Sequence, residues 1–172
     1  MAYGGRKKVG EGFGIAIVIR YILEICTNAE QAIEALRRIP VHLDYNIALV
    51  DASGVAYTVY ICPGEDVIVT QELCSTNQQP FDPANEQFFL EDSQERLTAL
   101  QGIAHSPYTT QQCLDAFLYP PLYRLHENNQ SGTLYTAAYF PQALSLCYMW
   151  PNRYLTLSFL NYPEQQLSIE LA

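Results

Sequence analysis

The spacing of apolar residues predicts two helices at the start of the chain. Residues 15–25 are apolar at almost every position, which predicts a helix buried between layers. The pattern Thr27-Asn28-Ala29-Glu30 predicts a capping box with Thr27 as the N-cap of a second helix that runs to Arg38 and is closed by Pro40. The second helix has one apolar stripe, at Ala32, Ile33, Leu36 and Ile39.

Beyond residue 40 the pattern becomes typical of β-structure. The β-rich runs 46–50 and 55–61 are joined by Asp51-Ala52-Ser53-Gly54, a strong hairpin signal, and a third short strand is predicted over 67–70. Residues 80–83 are predicted to be loop. Two further helices are predicted, followed by four strands with short turns: 93–102, 110–118, 133–140, 144–150, 154–160 and 166–171. The sequence therefore predicts an α+β protein, with helices packed on antiparallel sheet, as one domain over 1–172.

Composition restricts the kind of partner that this protein binds. Charged residues make up 16% of the chain, below the usual ~25%. With thirteen tyrosines and seven phenylalanines, this low charge predicts a surface that something else partly covers. The net charge of −9, with Arg6-Lys7-Lys8 as the one basic cluster, argues against nucleic-acid binding.

The chain is expected to be cytoplasmic and not to associate with a membrane. The residues after Met1 have no signal-peptide pattern, and the most apolar run, 13–25, is interrupted by Arg20 and Glu24 and is too short to span a bilayer. The five cysteines are odd in number and contain no C-x-x-C pair, which is typical of free thiols in a reducing compartment.

The sequence predicts neither a metal nor a cofactor. The three histidines, His42, His105 and His126, are scattered and do not have metal-ligand spacing. Cys74 is the best cysteine for a conventional Cys/His mechanism because it lies near Asn77, but no histidine or acid obviously accompanies it. Taken alone, Asn77 lies in a polar stretch that is typical of a turn.

Several short motifs occur in an order that covers nearly the whole chain. They are Gly10-Glu11-Gly12-Phe13-Gly14-Ile15, Arg20-Tyr21-Ile22-Leu23-Glu24, Ala29-Glu30-Gln31-Ala32, Arg38-Ile39-Pro40-Val41-His42, Tyr45-Asn46, Leu49-Val50-Asp51-Ala52-Ser53-Gly54, Ser75-Thr76-Asn77, Gly132-Thr133-Leu134-Tyr135-Thr136 and Trp150-Pro151. This ordered set resembles the acyl-coenzyme A:6-aminopenicillanate acyltransferase-like family. The family is related to choloylglycine hydrolases and belongs to the N-terminal-nucleophile (Ntn) hydrolase superfamily.

The resemblance implies a partial or complete αββα sandwich and a covalent mechanism. In this family an N-terminal cysteine attacks a carbonyl, its free α-amine acts as the base, and the reaction is hydrolysis of a linear amide C–N bond or acyl transfer to an amine. The family's nucleophile lies upstream of the glycine-rich segment at which this chain begins. We therefore expect a C-terminal portion of a family member that acts on a small-molecule amide or acyl substrate with a cysteine supplied from outside this chain.

Two residues are assigned to the site by the resemblance. Asn77 matches the family's oxyanion-hole asparagine, although the next residue is Gln78 where the family commonly has histidine. Arg96 lies where relatives often have an active-site arginine; the alternative is a surface arginine paired with Asp92 or Glu95. For Asn46, within a β-run, a structural bond to neighbouring backbone is expected.

Two alternatives to an enzyme part stay open. The chain is either a catalytically inactive, truncated family member that serves as a binding or scaffold module, or an oligomer in which two copies rebuild the αββα layers. A second chain or a homo-oligomer is expected in every case, because half of a sandwich exposes a large apolar face.

Overall fold

The computed structural model describes residues 1–6, 8–79, 90–125, 132–162 and 164–170. These residues form two compact units, Met1–Ala104 and His105–Ala172. Their helices and two antiparallel sheets confirm the predicted α+β class. The single domain over 1–172 stays a prediction. The loop at 80–83 and His126 lie outside the described residues.

The first unit combines helices with a four-stranded antiparallel sheet. Its elements are β1 (Ala2–Tyr3), α1 (Ile15–Ile25), α2 (Ala29–Arg38), β2 (Tyr45–Val50), β3 (Ala56–Ile61), β4 (Ile68–Thr70) and α3 (Leu90–Ala104). The strand order in the sheet is β1-β2-β3-β4. The predicted hairpin is confirmed, because β2 pairs with β3 from Tyr45↔Ile61 to Val50↔Ala56.

One aspartate organises both the hairpin turn and the start of α2. Asp51 Oδ1 accepts hydrogen bonds from the backbone N–H and the hydroxyl of Ser53, at 2.8 and 2.6 Å. Its Oδ2 accepts the backbone N–H of Ala29 at 3.2 Å. Gly54 completes the turn at φ 86°, a conformation that glycine adopts without strain. These bonds, the Ser53 hydroxyl first, hold the pKa of Asp51 below its usual value.

The core of the first unit lies between the two N-terminal helices and the sheet. Its most deeply buried apolar residues are Val18 and Ile47, each 1% exposed, and Val59, which is fully buried. The apolar stripe of α2 contributes Ala32, Ala35 and Leu36. Burying this apolar area is what fixes the helices on the sheet.

The glycine-rich opening packs against the chain that follows α2. The Phe13 N–H donates to Pro40 O at 2.9 Å and the His42 N–H donates to Phe13 O at 3.0 Å. A Cβ on Gly12 would collide with the backbone of Val41, so only glycine allows this close approach. The described residues between β1 and α1 form no helix and no regular strand.

The expected burial of α1 on nearly every side is wrong for the residues described. Ile15, Val18 and Ile22 are its buried residues, whereas Ile17 is 63% exposed and Leu23 is 77% exposed. Neighbours cover α1 along one stripe, as for an ordinary surface helix, and its remaining apolar side faces outward.

The predicted N-cap of α2 is also wrong by one residue. The N-cap is Asn28, whose Oδ1 accepts the Gln31 N–H at 2.9 Å. Gln31 Oε1 in turn accepts the Thr27 N–H at 2.9 Å, so the reciprocal pair involves Gln31 rather than Glu30. Asparagine caps a helix at least as well as threonine, so the backbone conformation decides which of two adjacent candidates becomes the N-cap.

The second unit contains a helix and a three-stranded antiparallel sheet. Its elements are α4 (Thr110–Ala116), β5 (Thr136–Phe140), a 3-10 turn (Pro141–Ala143), β6 (Ser145–Trp150) and β7 (Arg153–Ser158), with strand order β5-β6-β7. Leu118, Tyr123 and Met149 form its small core. The strand predicted over 166–171 is wrong for residues 166–170, which form no strand. Arg153 Nη1, at the start of β7, donates a hydrogen bond to Ser168 O at 3.1 Å. This side-chain contact, and not strand pairing, links residues 166–170 to the sheet.

Candidate functional site

The two residues that the resemblance assigns to the site lie in direct contact. Asn77 belongs to the irregular segment that follows β4, and Arg96 lies near the middle of α3. The guanidinium of Arg96 donates from Nη2 to Asn77 Oδ1 at 3.1 Å. Residues 19 positions apart in the sequence therefore meet at one point.

Arg96 is oriented by two residues one turn earlier on the same helix. Its Nε donates to Asp92 Oδ2 at 3.2 Å, and Nη2 lies 3.0 Å from the same oxygen. Nη2 also donates to Ser93 Oγ at 3.3 Å. The spacings i−4 and i−3 place both partners on the face of α3 that carries Arg96. Arg96 therefore forms both the ion pair with Asp92 and the hydrogen bond with Asn77.

The amide of Asn77 is held on both sides. Its Oδ1 accepts from Arg96, while Nδ2 donates one hydrogen to Tyr3 O at 3.2 Å. A primary amide has two N–H donors, and the second one has no partner among the described residues. Asn77 as a whole is half-buried.

Two further hydrogen bonds fix the irregular segment around Asn77, residues 71–79, to α3. Thr76 Oγ donates to Ser93 O at 3.1 Å, and both residues are buried. Gln78 Nε2 donates to Gln94 Oε1 at 3.1 Å. The glutamine that replaces the family's usual histidine therefore contacts α3 through a neutral amide pair.

The local electrostatics do not favour Cys74 as a nucleophile. Burial, and to a lesser extent the negative charge of Glu72, raises the pKa of the Cys74 thiol. Burial also raises the pKa of Cys62. A raised pKa leaves less thiolate at neutral pH, and thiolate is the reactive form.

The structure supplies no metal-type cluster within the ranges that it describes. No group of three histidine, cysteine, aspartate or glutamate side chains is arranged there to hold an ion. His42 and His105 are exposed, and His42 Nδ1 lies 2.8 Å from Gly10 O.

No described helix has the length and hydrophobicity required to cross a bilayer.

The outward side of α1 forms a second notable surface. A shallow groove of about 290 Å³ is lined by Phe13, Ile17, Val18, Tyr21 and Ile39. Phe13 and Tyr21 are 53% and 48% exposed. These apolar side chains are therefore gathered on one surface of the first unit.

Fold and sequence comparison agree on the class of protein. The helices and two antiparallel sheets of the described residues form an α+β class that is compatible with a partial Ntn-hydrolase fold. The sequence matches the acyl-coenzyme A:6-aminopenicillanic acid acyl-transferase family over residues 1–154, and the chain belongs to this family. The resemblance is thus confirmed. Neither the curated proteins nor the solved structures contain a significant match.

Sequence reasoning missed two parts of this site. The Tyr3 carbonyl was not anticipated, because no sequence pattern links β1 to a segment more than seventy residues away. Ser93 has no role in the site on sequence grounds, although its i−3 position relative to Arg96 is a signal that helical spacing provides.

Proposed function

We propose that this chain is part of a linear-amide C–N hydrolase or acyltransferase that uses an N-terminal cysteine supplied from outside these 172 residues. Its own contribution is an oxyanion-binding group, the Asn77 amide, supported by Arg96. The contact between Arg96 Nη2 and Asn77 Oδ1, in a chain of this family, is the observation that carries the proposal. The substrate is a small molecule with an amide or an activated acyl group.

The physical basis is the polarisation of one amide by a cation. A guanidinium that donates to Oδ1 withdraws electron density from the amide and strengthens Nδ2–H as a donor, because linked hydrogen bonds reinforce each other. The second N–H of Asn77, which has no partner among the described residues, is therefore suited to the charge that develops on a carbonyl oxygen under attack. Arg96 keeps its own charge balanced by Asp92.

The proposed reaction proceeds in two covalent steps. The base, the free α-amine of the cysteine, takes the thiol proton as the sulfur attacks the substrate carbonyl carbon; the C–N bond then breaks, and the base passes that proton to the leaving amine. Water or a second amine next attacks the thioester carbon and loses a proton to the base, and the C–S bond breaks to release the carboxylic acid or new amide and a thiolate that takes the proton back. Asn77 donates to the carbonyl oxygen during both attacks.

The first test is intact-mass spectrometry of the protein purified from its own source cells, under native and then denaturing conditions. A polypeptide with an N-terminal cysteine, either a second subunit or a longer form of this chain, is expected. The proposal would be overturned by a single polypeptide species without an N-terminal cysteine, if the preparation also released no aniline from a panel of acyl anilides.

The second test assigns the role of Asn77. In the active preparation, Asn77→Ala should lower kcat by about 10²–10³-fold with a much smaller change in KM, as for the loss of other oxyanion donors. The control is Asn152→Ala, at an exposed turn residue of the second unit. Equal activities for the two variants would rule out the oxyanion role.

The outward apolar side of α1 favours a second candidate function, a non-catalytic binding or scaffold module. Here the chain would associate with another polypeptide and Asn77 would be structural. Isolation of a stable complex without a cysteine-initiated chain and without turnover would support this alternative.

A further inference from the structure

Asn46 holds the backbone on both sides of Asn77. It lies in β2 and is fully buried. Its Nδ2 donates to Thr76 O and to Gln78 O, each at 2.7 Å. These two carbonyls belong to the residues immediately before and after Asn77.

We infer that Asn46 is a positioning residue that fixes Asn77 for oxyanion binding. The inference rests on the proposed function of Asn77 and extends it to a residue that is too buried to touch substrate. Asn46 acts through the backbone of Asn77 and does not take part in the reaction.

The geometry explains why a buried amide serves this purpose. The segment around Asn77 belongs to no helix or strand, so no ladder of backbone bonds fixes it. Asn46 is anchored in a paired strand, opposite Tyr60 of β3 and Ala2 of β1. Its two N–H groups are spent on two short bonds, which transmit the rigidity of the sheet to the peptides beside Asn77.

The bonding of Asn46 also has a cost in stability. Its Oδ1 is buried and has no hydrogen-bond partner among the described residues. An unpaired buried oxygen destabilises the fold, and such groups are rare in native proteins. Binding two carbonyls needs both N–H donors of one amide, and the asparagine side chain brings this oxygen with them.

The first measurement needs no substitution. In the full chain labelled with ¹³C and ¹⁵N, scalar couplings across hydrogen bonds should connect Asn46 Nδ2 with the carbonyl carbons of Thr76 and Gln78. Both Nδ2 protons should also exchange slowly with solvent. Absence of both couplings, or rapid exchange of these protons, would overturn the inference even if every variant failed to fold.

The second measurement uses Asn46→Asp, which keeps the size but replaces both donors by a carboxylate that repels the carbonyls. Backbone hydrogen exchange over residues 74–79 should accelerate at least tenfold, with exchange in β3 changed less than twofold. The control is Ile47→Val, a core truncation in the same strand. An equal acceleration throughout the unit, or none at 74–79, contradicts the clamp.

Turnover separates this inference from the proposed function. In the active preparation, with an acyl anilide as substrate, Asn46→Asp should lower kcat about 10-fold or more with KM changed less than twofold, because small misplacements of a catalytic group are costly. If Asn77→Ala lowers kcat by the expected factor of about 10²–10³ and Asn46→Asp does not lower it, the oxyanion role stands and the positioning role is refuted. If Asn77→Ala has no effect, both fail.

Discussion

The contact between Arg96 and Asn77 can be measured as a coupling free energy. A double-mutant cycle with Asn77→Ala and Arg96→Ala removes each side chain separately and then both. A hydrogen bond from a charged donor contributes about 1.5–3 kcal/mol when it is buried. The Arg96 side chain is 24% exposed and shares its guanidinium with Asp92 and Ser93, so a coupling of about 1 kcal/mol is expected, below that range.

The single variants should differ in a defined way. Asn77→Ala also removes the bond to Tyr3 O and should lower the free energy of unfolding by about 2 kcal/mol. The measurement is urea unfolding followed by circular dichroism at 222 nm. The matched control for Arg96→Ala is Arg38→Ala, because Arg38 also forms an i,i+4 pair but its side chain is 71% exposed. Arg38→Ala should lower the free energy of unfolding by less than about 0.5 kcal/mol.

One result would refute the polarisation argument. If the Arg96 and Asn77 effects add within about 0.3 kcal/mol, as they do for independent sites, the two side chains do not interact energetically in solution. Arg96 would then be the surface arginine of the alternative interpretation, paired with Asp92.

Three further predictions concern stability. Arg6, and then Lys8, hold the pKa of Glu65 at about 2, so its contribution to stability is complete above its usual pKa of 4.5 and disappears as the pH falls toward 2. Glu65→Gln should therefore cost about 1 kcal/mol at pH 7, a value limited by solvent screening, and progressively less in urea titrations below pH 4.5. Asn28→Ala should cost about 1 kcal/mol through the lost cap of α2, and an unchanged unfolding midpoint would contradict the assigned N-cap. Val59→Ala, at a fully buried site, should cost about 2–3 kcal/mol in the same assay; a loss under 1 kcal/mol would mean that the core collapses around the gap.

The elements with the strongest local signals could be predicted from the sequence. The hairpin was predictable because Asp51, Ser53 and Gly54 supply turn chemistry between two β-branched runs, and the structure uses all three. Helix α2 was predictable from its single apolar stripe. Its cap was not, because Thr27 and Asn28 are both good caps and only the folded backbone selects one.

Burial was the hardest property to predict. An all-apolar pattern in α1 indicates that water is unfavourable on every side, but it does not say which neighbours are present. Asn77 and Arg96 were found through the family resemblance rather than through any local pattern. The contacts of Asn46 and Tyr3 with the Asn77 segment depend on sheet topology, which brings distant residues together without a local sequence signal.

The hydrogen bonds of Asp51 to the hairpin turn and to α2 have a consequence for the order in which the protein folds and opens. One carboxylate closes the β2–β3 turn and also binds the first N–H of α2, so helix and hairpin stabilise each other over a short stretch of chain. Contacts of small sequence separation form with little loss of chain entropy. We expect residues 29–61 to behave as one cooperative unit, the first to gain protection during refolding and the last to lose it under native-state exchange.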